Sequence, residues 1–68
     1  MGVKWPQPGD LVVHKESGRL ATIEAMLSWD GVWPGCYIKF KDPWVLAPNR
    51  RPVRTLHCRM DAVKIVQT

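Results

Sequence analysis

The chain lacks the segments that would place it in or across a membrane. It contains no apolar run of the roughly 18–20 residues that a transmembrane helix needs, and its N-terminus has no apolar signal-peptide core. It has only two cysteines, Cys36 and Cys58, without C-x-x-C spacing. We therefore expect a soluble, non-secreted, cytoplasmic protein whose cysteines are free thiols. A disulfide between them is expected only under oxidising conditions.

Residue patterns for catalysis are also missing. The sequence has no glycine-rich phosphate loop, and its six acidic residues are scattered. The two histidines, His14 and His57, lack a convincing nucleophile, because Ser17 and Ser28 both lie in ordinary turn contexts. The sequence therefore predicts a protein that is not an enzyme and that uses no cofactor.

A metal site would have to come from His14, Cys36, His57 and Cys58. Zinc prefers four ligands in tetrahedral geometry, usually delivered as closely spaced pairs. Only His57 and Cys58 are close in sequence, and adjacent residues of a strand point to opposite faces. We therefore expect no metal site.

Positive charge is concentrated in the second half of the chain. Residues 1–34 carry three basic and four acidic side chains, whereas residues 35–68 carry seven basic and two acidic ones. The basic second half of the chain can attract phosphate groups or an acidic protein surface, or its charges can simply form a solvated face.

The alternation of apolar residues predicts one small all-β domain. Residues 1–7 are expected to form an N-terminal arm, and residues 8–68 a five-stranded SH3-like barrel with a short 3₁₀ turn before the last strand. A helix is the rival interpretation for Leu20–Leu27, but the turn at Gly18 and the brevity of the segment favour a strand. The predicted strands are Asp10–His14, Arg19–Leu27, Cys36–Phe40, Pro52–Cys58 and Val63–Val66, with loops at Ser28–Gly35 and Lys41–Arg51 and the 3₁₀ turn within Arg59–Ala62.

The opening segment Gly9-Asp10-Leu11-Val12-Val13-His14 resembles two families with this architecture. It is similar to the Tudor-like module through which CarD-type transcription regulators and the transcription-repair coupling factor contact RNA polymerase. That resemblance implies docking to the polymerase. The chain lacks the helical DNA-binding domain that usually accompanies the module, so such docking would occur alone, as in some phage-encoded or mobile-element proteins.

The same opening, extended to Ser17-Gly18, is similar to the type II plasmid-borne dihydrofolate reductases, in which Lys15 would match an active-site lysine. This resemblance implies a tetramer with a pore lined by a Val-Gln-Ile-Tyr segment. The corresponding stretch here reads Arg54-Thr55-Leu56-His57. The residues that contact cofactor and substrate are therefore absent, and no site residue is carried over.

The first functional hypothesis is a basic face that also bears a tryptophan. Nucleic-acid binding needs cations that reach phosphates and flat rings on which bases stack. The expected strand pairing and the long connector would bring such residues together on one side, although the tryptophan could instead cover the core. The candidate nucleic-acid-binding residues are Lys39, Lys41, Trp44, Arg50, Arg51 and Arg54.

The alternative hypothesis is a protein-binding or oligomer-forming domain that uses an aromatic groove. The chain contains four tryptophans, more than a core of this size is expected to bury. Trp29, Trp33 and Tyr37 are the candidate partner-binding residues, with Trp44 contributing from the next loop. Two of these rings could equally complete the small core. An exposed edge strand also favours self-association, so a homo-oligomer is expected.

Overall fold

The computed structural model describes residues 5–66, which form one antiparallel sheet of five strands. A single 3₁₀ turn, Met60–Ala62, precedes the last strand, and the described residues include no α-helix. The predictions of an all-β domain, of five strands and of this turn are confirmed. The strands are β1 (Leu11–His14), β2 (Arg19–Trp29), β3 (Trp33–Trp44), β4 (Val53–Arg59) and β5 (Val63–Ile65).

The sheet does not close into a barrel. Its strand order is β4-β3-β2-β1-β5, so β4 and β5 form the two edges, and no described residue of one pairs with the other. The predicted five-stranded SH3-like domain therefore takes the form of an open sheet. One side of the sheet carries the buried apolar side chains, and the 3₁₀ turn adds the buried side chain of Met60 to them.

The core follows the predicted alternation where the strands are regular. In β3, Cys36, Ile38 and Phe40 are buried, while the intervening Tyr37 and Lys39 are exposed. Because successive side chains of a strand point to opposite faces, this pattern defines an inner and an outer side of the sheet. The core consists of Val12, Ala21, Ile23, Cys36, Ile38, Phe40, Cys58, Met60 and Val63.

A β-bulge at Glu24 reverses the alternation in β2. Ile23 lies opposite Ile38, but Ala25, two positions further, lies opposite Tyr37. The extra residue shifts every later side chain to the other face. An uninterrupted alternation along Arg19–Leu27 would place Ala25 and Leu27 on the inner face with Ile23. The bulge directs them to the outer side instead.

The connection between β2 and β3 is a tight hairpin rather than the predicted loop over Ser28–Gly35. Only Asp30–Val32 lie outside the strands, and the backbone N–H of Val32 donates to the carbonyl of Trp29 at 3.2 Å. Asp30 and Gly31 have φ values of 55° and 72°, which tight hairpin turns require and which Asp-Gly sequences favour. The chain therefore reverses within the predicted loop, and the strands extend to this turn from both sides.

The connector between β3 and β4 is shorter than predicted. β3 continues to Trp44, although its pairing with β4 is interrupted between Lys39 and Trp44. Pro43 lies within this irregular part, so its missing N–H removes no regular ladder bond. The connection itself covers residues 45–52 and contains a turn in which the Arg50 N–H donates to the Ala47 carbonyl at 3.1 Å.

Three residues of the predicted N-terminal arm are described, and they lie against the sheet. Pro6 is buried, and the Gln7 N–H donates to the Asp10 carboxylate at 2.8 Å. The rest of the arm, residues 1–4, lies outside the described part of the chain, as do residues 67–68. Within residues 5–66 there is no helix of the length and apolarity that crossing a bilayer would take.

Candidate functional site

The outward side chains of β2, β3 and β4 form the most distinctive surface of the molecule. We call this surface the outer face. Its aromatic and basic members come from all three strands, because the Glu24 bulge turns the end of β2 to the side that the exposed residues of β3 and β4 occupy. The outer face consists of Ala25, Leu27 and Trp29 of β2, Trp33, Tyr37 and Lys39 of β3, and Thr55, His57 and Arg59 of β4.

Trp33 and Arg59 form a stacked pair at one end of the outer face. The Arg59 guanidinium carbon lies 4.4 Å from the centroid of the Trp33 ring, a cation–π contact. A terminal nitrogen of the same guanidinium donates to the Asp61 carboxylate at 2.8 Å. These contacts fix the orientation of the indole, which still exposes 52% of its surface.

Trp29 and His57 meet in the middle of the outer face. Their ring centroids are 5.1 Å apart in an edge-to-face arrangement, and His57 Nε2 donates to the Ser28 carbonyl at 3.1 Å. The contact crosses β3 close to Gly35, which has no side chain that could separate the rings on β2 and β4. Beside it, the Tyr37 hydroxyl donates to Thr55 Oγ1 at 2.8 Å. These contacts fix a row of rings, which we call the strip. It consists of Trp33, Trp29, His57 and Tyr37.

A small pocket lies at the Trp33 end of the strip. Its volume is about 100 Å³, and its lining is almost entirely apolar. Trp5 reaches this pocket from the N-terminal segment and exposes 39% of its surface. The lining residues are Trp5, Trp33, Pro34, Arg59 and Asp61.

The charge of the outer face is positive. None of its nine residues is acidic, and it carries Lys39 and Arg59. The nearest acidic groups flank it: Asp61 pairs with Arg59, and Glu24 of the bulge shares a shallow hollow with Lys39 and Lys41. The Arg59–Asp61 contact is the one ion pair among residues 5–66. The remaining described lysines and arginines thus keep their charge available for a ligand.

The predicted nucleic-acid-binding residues fall along β3, β4 and their connection. Lys39 belongs to the outer face, and Arg54 lies between the β4 residues that oppose Trp44 and Lys39. Arg50 and Arg51 lie in the connection over residues 45–52, and all the basic residues of this set are exposed. The structure thus places these cations around the end of the strip that is remote from Trp33.

Trp44 packs on the core instead of joining the other tryptophans. Its ring centroid lies 5.2 Å from that of His14 and 6.0 Å from that of Phe40, and the residue is half-buried. Trp33 and Trp44 begin and end β3, so they stand at opposite ends of a long strand. The expected groove shared by Trp29, Trp33 and Trp44 is not formed, whereas Trp29, Trp33 and Tyr37 do share one face.

Cys36 and Cys58 lie directly opposite each other on the inner side of β3 and β4. Both are buried free thiols, with their sulfur atoms 3.9 Å apart. The hydrogen bond with Cys58, together with burial, raises the pKa of the Cys36 thiol well above its usual range. Across residues 5–66, no three or more metal-ligating side chains come together.

Sequence reasoning did not assign His57 to this surface or Trp5 to the pocket beside it. His57 could have been found, because Thr55, His57 and Arg59 alternate with the apolar residues Leu56 and Cys58. Trp5 could not, since nothing in the sequence fixes where an arm folds. Comparison with protein-family models, curated proteins and solved structures finds no match to this chain.

Proposed function

We propose that this protein is a non-enzymatic module that binds nucleic acid across the outer face. One observation carries the proposal: exposed aromatic rings share a single sheet surface with Lys39, a lysine outside any ion pair among residues 5–66, and none of the nine residues of that surface is acidic. Trp33 and Tyr37 supply rings with 52% and 37% of their surface exposed, and Lys39 supplies an exposed ammonium group. Rings together with cations are the combination that bases and phosphates require.

In this proposal the cations contact the phosphate backbone. Lys39 and Lys41 lie on β3, Arg54 precedes the β4 residue that is opposite Lys39, and all three are exposed. Arg50 and Arg51 extend the positive surface along the connection between the two strands. Phosphate contacts of this kind provide affinity without sequence preference, because every nucleotide presents the same charge.

A salt titration with a single-lysine variant tests this function. We expect labelled DNA or RNA to bind at low salt and to dissociate as salt rises, since binding releases counterions. Lys39→Ala should weaken binding to all sequences alike and reduce the slope of log affinity against log salt by about 1. Lys64→Ala is the matched control, because Lys64 is an exposed lysine of β5, at the opposite edge of the sheet.

Failure to bind DNA and RNA at low salt would overturn the proposal. A binding partner recovered through Trp33 but insensitive to salt would instead support the alternative, a protein-docking or self-associating surface built from the same rings. Equal losses for Lys39→Ala and Lys64→Ala would also count against it, because they would show a diffuse charge effect rather than a defined face.

A further inference from the structure

We infer that the ligand of the outer face is single-stranded nucleic acid whose unpaired bases stack on Trp33 and Tyr37. This inference rests on the proposed nucleic-acid function and narrows it to one class of ligand. It is carried by the exposure and spacing of the rings, and by the pocket beside Trp33. The phosphate-binding cations, on which the broader proposal also depends, do not distinguish single strands from duplexes.

Exposed flat rings suit bases whose faces are accessible. In a duplex each base is covered above and below by its neighbours, and only its edges are accessible in the grooves. In a single strand the bases can separate and stack on aromatic side chains. Trp33 and Tyr37 are held for this role, since the Arg59 guanidinium stacks on the first ring and the Thr55 hydroxyl anchors the second. Rigid rings lose little conformational entropy when a base stacks on them.

The distance between the rings favours an extended strand. Trp33 and Tyr37 are four positions apart on β3, which corresponds to about 13 Å along a β-strand. Successive bases of a duplex are about 3.4 Å apart along the axis, so two neighbouring stacked bases cannot cover both rings. A single strand with separated bases can span the interval, with the Trp29–His57 pair beneath it.

The pocket at the Trp33 end fits part of one base. Its volume of about 100 Å³ is smaller than the roughly 150 Å³ cavity that encloses a benzene ring, so a base would enter only in part and stay partly exposed. Trp5, Trp33 and Pro34 provide apolar contact, and Arg59 and Asp61 can meet the polar groups on the base edge. An unpaired base can place one edge in this space, whereas a base inside a duplex is covered by its partner and its stacked neighbours.

Fluorescence anisotropy with one labelled oligonucleotide, alone and annealed to its complement, tests the inference. We expect the single strand to bind at least about tenfold more tightly than the duplex at the same salt concentration. Trp33→Ala and Tyr37→Ala should each weaken single-strand binding about tenfold, which is the loss expected for one stacked base, and should leave the residual duplex binding unchanged.

Two matched variants control for non-specific effects. Tyr37→Phe removes the hydroxyl but keeps the ring, so it should bind within about twofold of the unaltered protein if stacking is the contact. Val32→Ala shortens an apolar side chain that is 81% exposed in the hairpin turn beside Trp33, and it should have no effect. Urea unfolding of each variant confirms that the fold is kept.

The outcomes separate this inference from the broader proposal. The inference is overturned if binding is salt-sensitive, the duplex binds as tightly as the single strand and Trp33→Ala has no effect. That result would leave the broader proposal of nucleic-acid binding intact. Absence of binding to either form at low salt overturns both. A Tyr37→Phe loss as large as that of Tyr37→Ala would show that the hydroxyl, rather than the ring, is the contact.

Discussion

At the scale of single residues, the absence of a side chain at Gly35 allows β2 and β4 to lie close to β3. A Cβ atom at this position would lie 3.0 Å from the Leu27 carbonyl oxygen, 3.1 Å from the Trp29 nitrogen and 3.2 Å from the Cys58 carbonyl oxygen. All three are backbone atoms of the strands on either side, so none can move without distorting the sheet. The Trp29–His57 contact passes over the same point. Gly35 therefore permits both the close approach of the strands and the aromatic strip.

Gly35→Ala should destabilise the protein by about 1–3 kcal/mol, which is the usual cost of overpacking. Urea unfolding monitored by tryptophan fluorescence measures the change. Ser28→Ala is the control. Ser28 is an exposed residue of β2 and contacts His57 through its backbone carbonyl, so this change should alter the free energy of unfolding by less than about 0.5 kcal/mol. An unaltered midpoint for Gly35→Ala would contradict the described approach of the strands.

At the scale of elements, β3 and β4 carry the core on one side and the rings on the other. Cys36 and Cys58 are opposite each other on the inner side, and the neighbouring pair, Tyr37 and His57, is opposite on the outer side. A covalent link between the two cysteines would therefore fix the register of the strands that present the strip. The sulfur atoms, 3.9 Å apart, need only a small movement to bond.

Oxidation by a thiol-specific oxidant such as diamide should join Cys36 and Cys58 within one molecule, with two protons and two electrons passing to the oxidant. The reaction should be slow in the native protein, because both thiols are buried and the oxidant reaches them only when the sheet opens locally. The link should raise the free energy of unfolding by about 3 kcal/mol, by restricting the unfolded chain.

Mass spectrometry and thiol titration under native conditions follow this reaction. Cys58→Ser is the control, because it can form a disulfide only between two molecules. Disulfide-linked dimers of the unaltered protein, with no intramolecular product, would contradict the geometry of the pair.

Regular strand segments could be predicted from the sequence, while their irregularities could not. The alternation of Cys36, Ile38 and Phe40 with polar residues was sufficient to define one face of β3. The bulge at Glu24 leaves no such signal, because Ala25, Met26 and Leu27 are acceptable on either side of a sheet. The predicted β3 was too short, because prolines disfavour central strands. Pro34 is nevertheless part of β3. The pairing between β3 and β4 extends only to Gly35, so the missing N–H of Pro34 removes no hydrogen bond between these two strands.

The candidate site was predictable in its parts but not in its arrangement. The aromatic set and the basic set were identified separately, as two rival hypotheses. The bulge and the long hairpin bring Trp29, Trp33 and Tyr37 onto the side that also carries Lys39. Trp44 contacts His14 and Phe40 instead, because it lies four positions after Phe40 and therefore on the inner side of β3. The placement of Trp29 on this side depends on the bulge between Ile23 and Ala25, which regular alternation does not reveal.

At the scale of the whole molecule, the open sheet has a different role on each side. Its inner side holds a small apolar core, and its outer side presents rings and positive charge. None of the nine residues of the outer face is acidic, and the exposed cations Lys39, Lys41, Arg50 and Arg51 lie on β3 and on the connection to β4. Long-range attraction of a polyanion should therefore lead to contact at β3 and β4.

The most direct test of this account is to titrate isotope-labelled protein with a single-stranded oligonucleotide and follow amide and indole resonances by NMR. The account predicts changes at the Trp33 indole and at the amides of β3 and β4 around Tyr37, Lys39 and His57, with β1 and β5 unaffected. Changes confined to β1 and β5, or to the buried surroundings of Trp44, would contradict it, as would a spectrum that does not change at low salt.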